Sequence, residues 1–329
     1  MIQKFKIIGI LLIVILLSSC SKKRAIGEEN IIYVLSSEKV FDTYKNELEK
    51  LFSDTLFTPM PENRFEISHI NIKDFKNKRY FKNLILITDV DSKDPQSEFI
   101  NRMLPADIPE GIREGKYAYL SKNDLWALKQ NVLFLMTSKE DHLSDFLKNR
   151  GKDMFNLFKE RNLSFIKESL FDKHNNKKAE KYIKSKYGVE IFVPHDFFVV
   201  NEGVKTKFIR FRRKAPDRWL TIIWGDYDSS ISYQENFIKI RDRAGLEFGD
   251  VVNINPEIIS FEPDTTFVKN GFKTKGIWEY ELGGGPFFGY SFLKGNEMII
   301  IDGAVFRPGQ DKYPFIDQLD LMAKSFKLK

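Results

Sequence analysis

Residues 84–88 read LILIT, four aliphatic side chains and a threonine with no charge among them. A strand this apolar cannot present one face to water. It has to be covered on both, which is the situation of a strand in a parallel sheet flanked by helices. Its neighbours meet that condition. Residues 31–35 (IIYVL) predict a second buried strand. Residues 38–52 place Val40, Phe41, Tyr44, Leu48, Leu51 and Phe52 at spacings of three and four, the stripe of an amphipathic helix. Strands are expected at 65–72, 116–120 and 132–136, short helices at 73–80 and 97–103, and longer helices at 138–159 and 163–187. Strand and helix alternate, so the first half predicts an α/β layer.

The pattern changes after Gly188, which is placed to cap a helix C-terminus. Strands are expected at 189–200, 206–212, 219–224, 258–268, 271–282, 287–293 and 298–306. Only 233–246 and the closing 313–326 read as helices. The predicted class is therefore α/β and α+β: two mixed sheets with amphipathic helices packed on them, the second half mainly antiparallel. The expected division is a signal peptide at 1–19, a tether at 20–30, an α/β domain at 31–188 and an α+β domain at 189–329.

The chain has one cysteine, Cys20, so no disulfide within it and no multi-thiolate zinc site can form. The residues before it explain its presence. Lys4 and Lys6 precede an apolar run at 7–17, the length of a signal-peptide hydrophobic segment and too short to span a bilayer. Leu17-Ser18-Ser19-Cys20 resembles the bacterial lipobox. That resemblance implies cleavage before Cys20 and acylation of its thiol, with two or three chains anchoring far more firmly than one. Ser21 and the basic SKKR that follows favour an outer-membrane protein facing the periplasm. The expected setting is the cell envelope, with the membrane reached through lipidated Cys20. An envelope protein, a lipid headgroup or a glycan is the expected further partner. Lys and Arg (52) are interspersed with Asp and Glu (46), a mixed solvated surface rather than a nucleic-acid footprint.

Three stretches of the second half carry a wider likeness: YGVEIFVPHDF (187–197), IWEYELGGGPFFGYSF (277–292) and IIIDGAVFRPGQDK (299–312). In the first half, NDLWALKQNVLFLMTSKEDHL (123–143) adds to it. Together they resemble a family of Bacteroidetes-type lipoproteins known as a domain of unknown function. The second half also resembles the Mog1/PsbP-like shape. The likeness implies architecture and location and brings no catalytic residue with it.

The glycine run Gly283-Gly284-Gly285 raises the question of a phosphate loop. No lysine follows at P-loop spacing, no third glycine completes a dinucleotide fingerprint, and a strand rather than a helix comes next. The run reads as a strand–turn–strand connector, with Pro286 at a turn or strand edge. The four histidines form no metal-binding spacing, no G-x-S-x-G elbow occurs, and no cofactor is expected. Asp226, Asp228, Glu279, Glu281 and Asp302 are carboxylates available for glycosidase chemistry, each explained equally by a turn or the surface. The basic run at 210–218 predicts a strand with Ile209 and Phe211 on one face and Arg210 and Arg212 on the other. Trp219, Trp224, Trp278 and Tyr280 read as strand aromatics, mostly core, with Trp278 the best candidate for a groove. The positions singled out for ligand contact are Trp278, Gly284, Gly285, Pro286, Tyr290 and Asp302. The expected function is a non-catalytic binding or assembly module. The alternative is a carboxylate-based hydrolase acting on cell-wall or glycan material.

Overall fold

The computed structural model describes residues 22–56, 61–138, 140–171, 174–248, 253–281 and 283–328. Cys20 and the expected signal segment lie outside the described residues, as does Leu282. In chain order the elements are β1 (Ile31–Leu35), α1 (Glu38–Phe52), β2 (Thr55–Leu56), β3 (Glu62–Asn63), β4 (Glu66–Ile70), α2 (Ile72–Lys78), β5 (Asn83–Asp89), α3 (Pro95–Asn101), α4 (Ile108–Arg113), β6 (Tyr119–Asn123), β7 (Asn131–Thr137) and α5 (Glu140–Phe171). They continue with α6 (Lys177–Tyr187), β8 (Val189–Glu190), β9 (Phe198–Glu202), β10 (Lys207–Arg213), β11 (Asp217–Asp226), α7 (Tyr233–Gly245), β12 (Asn253–Asp264), β13 (Gly271–Tyr280), β14 (Gly283–Lys294), β15 (Glu297–Phe306), α8 (Tyr313–Ala323) and β16 (Lys327–Leu328). Among the described residues, no helix is long and apolar enough to cross a membrane.

Two compact units result. The first takes the described residues up to Ser53 together with Phe65–Arg161. Its sheet runs β4-β1-β5-β7-β6. All pairs are parallel except β6 against β7, which closes one edge. The LILIT stretch is the third strand, and it is buried on both faces as its composition demands. Ile85 and Ile87 pack with Phe41, Leu48 and Phe52 of α1 and Leu147 and Phe158 of α5. Leu84 and Leu86 face the other way, toward Phe75 of α2, Ile100 of α3 and Ile112 of α4. Each such aliphatic side chain contributes about 1.5–3 kcal/mol when removed from water. Asp94 caps α3 by accepting from the amides of Gln96 (3.0 Å) and Ser97 (2.9 Å), with Pro95 opening the first turn.

The second unit comprises Asp54–Arg64 and Asn162–Lys329. The expected boundary at Gly188 falls inside it, because Ala179 and Ile183 of α6 are part of its core. Gly188 does end α6 in the left-handed conformation (φ 66°). The helix expected over 163–187 is two elements, α5 ending at Phe171 and α6 starting at Lys177 under an Asn176 cap. The strand expected over 189–200 is also divided, into β8 and β9, with Pro194 between them.

Seven strands form an antiparallel sheet in the order β12-β13-β14-β15-β11-β10-β9. One face carries Ile209, Phe211, Leu220, Ile222, Trp224, Phe288, Tyr290, Ile299 and Ile301, covered by α6 and by Leu319, Met322 and Ala323 of α8. The other face carries Phe208, Ile223, Phe287, Met298 and Ile300, covered by Phe237, Ile240 and Ala244 of α7. Residues 54–64 are fastened to this unit by polar contacts. Arg64 grips Asp317 through two hydrogen bonds (2.7 and 2.9 Å) and stacks on Tyr313 at 4.2 Å. Lys312 pairs with Glu62, and the Tyr313 hydroxyl donates to the Asp54 carbonyl.

Candidate functional site

α7 covers only part of its sheet face. Beside it the face opens into a cavity of about 200 Å³ lined by residues of β9, β10, β11, β13, β15 and α7. The register explains which side chains point there. Arg212 pairs with Trp219, Trp219 with Ala304, Arg210 with Thr221, and Thr221 with Asp302. Side chains directly opposite in an antiparallel pair share a face. The alternation expected for the basic run is therefore real, with Ile209 and Phe211 buried on the reverse face. The arginine face is not simply solvated, however. Arg210 lies over the rings of Phe248 (4.0 Å) and Trp219 (5.0 Å). Arg212 makes a paired contact with Asp217, both bonds 2.8 Å, and sits 5.5 Å from the centre of Trp219. The rest of the run goes elsewhere. Arg213 pairs with Asp196 (2.8 Å), and Arg218 is buried against Gln318 (2.8 Å) and the Pro216 carbonyl (2.9 Å).

The back of the cavity is built from Arg241 and Trp278. Arg241 reaches from α7 to Asp302 on β15, its Nε donating to Oδ1 at 3.0 Å and its Nη2 to Oδ2 at 3.5 Å. It is 2% exposed and lies 4.6 Å from the Phe287 ring. Its Nη1 meets no acceptor among the described residues. Trp278 is 4% exposed. It stands edge-on to Trp219 (5.9 Å, 86°) and stacks on Tyr280 (5.6 Å, 23°). Its Nε1–H also meets no acceptor among the described residues. A buried donor left without an acceptor costs about 1–3 kcal/mol, and both of these atoms are closed off from solvent behind the cavity wall.

The glycine run supports this wall. It is paired strand rather than turn: Gly283, Gly284 and Gly285 face Tyr280, Glu279 and Trp278 across β13–β14, and Pro286 is buried opposite Ile277. The turn lies just before, and only Gly283 (φ 147°) needs the conformation that favours glycine. A side chain at Gly285 would meet the Val305 carbonyl at 2.2 Å and the Trp278 indole at 3.2 Å. The run is thus strand backbone pressed against the indole.

Of the positions singled out from sequence, Trp278 and Asp302 come together in the cavity, and Gly285 backs the first of them. Tyr290 does not join them. It lies on the reverse face, donating to Asp320 at 2.6 Å. The other carboxylates do not converge either. Asp228 accepts from Ser230 within its own turn (3.0 Å), Glu279 accepts from Asn255 (2.7 Å), and Asp226 and Glu281 are exposed. Among the described residues no group of acidic, histidine or cysteine side chains is arranged to hold a metal. Sequence reasoning missed Trp219, Arg210 as a cavity wall, and above all Arg241. A signal for Arg241 was present. It follows Phe237 by four residues and Ile240 by one, so it falls on the apolar stripe of α7, where a charge needs a buried partner.

Two different domains of unknown function match the chain. Residues 175–325 match one (DUF4837), and these include the whole cavity. Residues 25–171 match the other (DUF8532). No curated protein matches the chain. Among solved structures, the chain is similar to cyanobacterial PsbP (CyanoP) from Synechocystis sp. PCC 6803. That likeness has 15% identity over 43% of this chain and 87% of that one, at a TM-score of 0.29.

Proposed function

We propose that this is a lipid-anchored envelope protein of the Bacteroidetes type whose second unit binds a small ligand. The observation that carries the binding reading is a cavity of about 200 Å³ lined by the rings of Trp219, Trp278, Tyr280 and Phe306 and by the polar groups of Asn201, Arg212 and Asp217. Rings and a few placed polar groups are the usual make-up of a small-molecule site. The anchor reading rests on the charged start, the apolar run and the lipobox ending at Cys20. Delivery or sensing of an envelope metabolite at the outer membrane, facing the periplasm, fits both halves of the proposal.

A carboxylate-based hydrolase is less well supported. Both carboxylates of the cavity, Asp217 and Asp302, are engaged by arginines (2.8 and 3.0 Å) rather than left open toward a substrate. Burial raises the proton affinity of Asp242, yet its carboxylate accepts from the Ile254 amide (3.3 Å) and takes no part in the cavity wall.

The test is retention. A small-molecule extract of the producing cells is passed over the immobilised full-length chain and the eluate analysed by mass spectrometry. The wild-type chain should enrich a compound that Asn201→Trp, which plugs the cavity mouth from β9, does not. Equal enrichment by both proteins, or none by either, would overturn the binding reading.

A further inference from the structure

We infer that a second site of this unit, a lysine-lined groove beside α6, binds a linear ligand carrying two or more phosphate groups. The groove shares no residue with the aromatic cavity. Its volume is about 690 Å³, inside the ~300–1,000 Å³ of small-molecule sites. Helical spacing builds one wall. Lys177, Lys181 and Lys184 recur at intervals of four and three residues, so they share a face of α6 and cover about 10 Å of its axis. Lys327 joins the lining from β16, where it pairs with Glu190 of β8. Ile191 and the half-buried Phe192, whose ring packs on Phe171 (4.5 Å), supply the apolar part.

Four lysines and two glutamates line the groove, an excess of two positive charges. Glu190 neutralises Lys184 at 2.7 Å. Glu180 gives both oxygens to neutral donors, Oε2 accepting from the Asn175 amide group (2.6 Å) and Oε1 from the Val193 backbone amide (3.0 Å). Among the described residues Lys177, Lys181 and Lys327 are exposed and meet no carboxylate. Like charges lining one groove repel, and an anion entering it relieves that repulsion. One phosphate cannot reach charges spread over about 10 Å, so the ligand needs several anionic groups set along a chain. The type of cation selects phosphate. Among the described residues no arginine lines the groove. Lysine is a compact point charge that suits a tetrahedral phosphate, whereas a planar carboxylate is matched better by the guanidinium fork.

Calorimetric titration of the full-length chain tests this. The probes are tripolyphosphate, orthophosphate, the acidic peptide hexaglutamate, and glycerophosphoglycerol, the soluble headgroup of an anionic lipid. Tripolyphosphate should bind about tenfold more tightly than each of the other three. Reversing two of the unpaired charges, Lys181→Glu with Lys327→Glu, should weaken it by a further factor of about ten or more, with an unchanged circular dichroism spectrum showing that the protein folds. The control is Lys178→Glu, the same kind of charge change at an exposed residue of α6 that does not line the groove. It should cost less than about threefold.

Equal weakening by Lys178→Glu and by either single groove substitution would show a response to net charge alone and overturn the site. Hexaglutamate binding as tightly as tripolyphosphate would overturn the phosphate assignment in favour of an acidic peptide. Preference for glycerophosphoglycerol would replace the linear chain with a lipid headgroup. Failure of all four probes to bind would overturn the inference altogether, without bearing on the aromatic cavity.

Discussion

Glu247 shows how one side chain can hold the rim of this cavity. Its carboxylate accepts from three successive amides at the tip of the β9–β10 hairpin, those of Val204 (2.8 Å), Lys205 (3.1 Å) and Thr206 (2.6 Å). These amides, with that of Val204 foremost, lower its pKa to about 2 from the ordinary 4.5. The next residue, Phe248, is the ring beneath Arg210. A carboxylate whose pKa is lower in the folded state stabilises the fold above its unfolded pKa and loses that effect as pH falls toward its folded one. Glu247→Gln should therefore lower the melting temperature at pH 7, and the gap from wild type should close between pH 4.5 and about 2. A gap constant across that range, followed by scanning calorimetry, would contradict the assignment. The contribution is modest because the group is solvent-screened. Residue-scale legibility was uneven. Trp278 and Asp302 stood out as an aromatic and an acid in a strand. Tyr290 stood equally close to the glycines but lies on the reverse face, because Gly285 is directly opposite Trp278 and Tyr290 is five residues further along β14. An odd separation along a strand reverses the face, and only the exact register decides which side each residue joins.

At the scale of elements, periodicity was a good guide wherever a segment buried one clear stripe. The apolar strands β1, β5 and β7 and the amphipathic helix α1 all follow the spacing of their side chains. The elements that escaped were short or held by polar partners. The β2–β3 hairpin has two residues in each strand, and α4 has six residues. Neither is long enough to show a period. What retains residues 54–64 in the second unit is a set of distant charge contacts, which local sequence does not display. Arg64, 8% exposed, holds Asp317 from a position 253 residues away in the chain. Removing one partner of such a pair leaves a charge buried alone. Asp317→Ala should cost about 3–5 kcal/mol in urea denaturation, whereas an exposed pair such as Lys45–Glu49 should cost under about 1 kcal/mol when broken. Equal small losses at both sites would show that the Arg64 contact does not fasten α8.

For the whole molecule, the fold class followed from the change of pattern along the chain: alternating strands and helices first, then successive strands. The cavity did not follow. It needs Arg241 from a helix, Trp219 and Asp302 from strands that are paired but not consecutive in the chain, and a glycine strand packed against an indole. Each of these residues has an ordinary structural explanation when seen alone. The proposed anchor is a separate matter, and its signal lies in residues 1–20 of the sequence. Cys20→Ala should abolish incorporation of labelled palmitate and release the protein from the membrane fraction. Retained label would refute lipidation at that residue.

The central claim is that the aromatic-lined cavity of the second unit binds a small ligand. The most direct measurement is the ¹⁵N–¹H spectrum of the four tryptophan indoles in the full-length chain, assigned by single Trp→Phe variants and followed as the small-molecule extract of the producing cells is added. The account predicts that the Trp219 and Trp278 N–H resonances move when a ligand enters beside their rings. Trp224, stacked on Tyr187 on the reverse face (5.1 Å, 7°), should stay in place. Trp219 and Trp278 resonances unmoved by the extract, or all four indoles shifting alike, would contradict it.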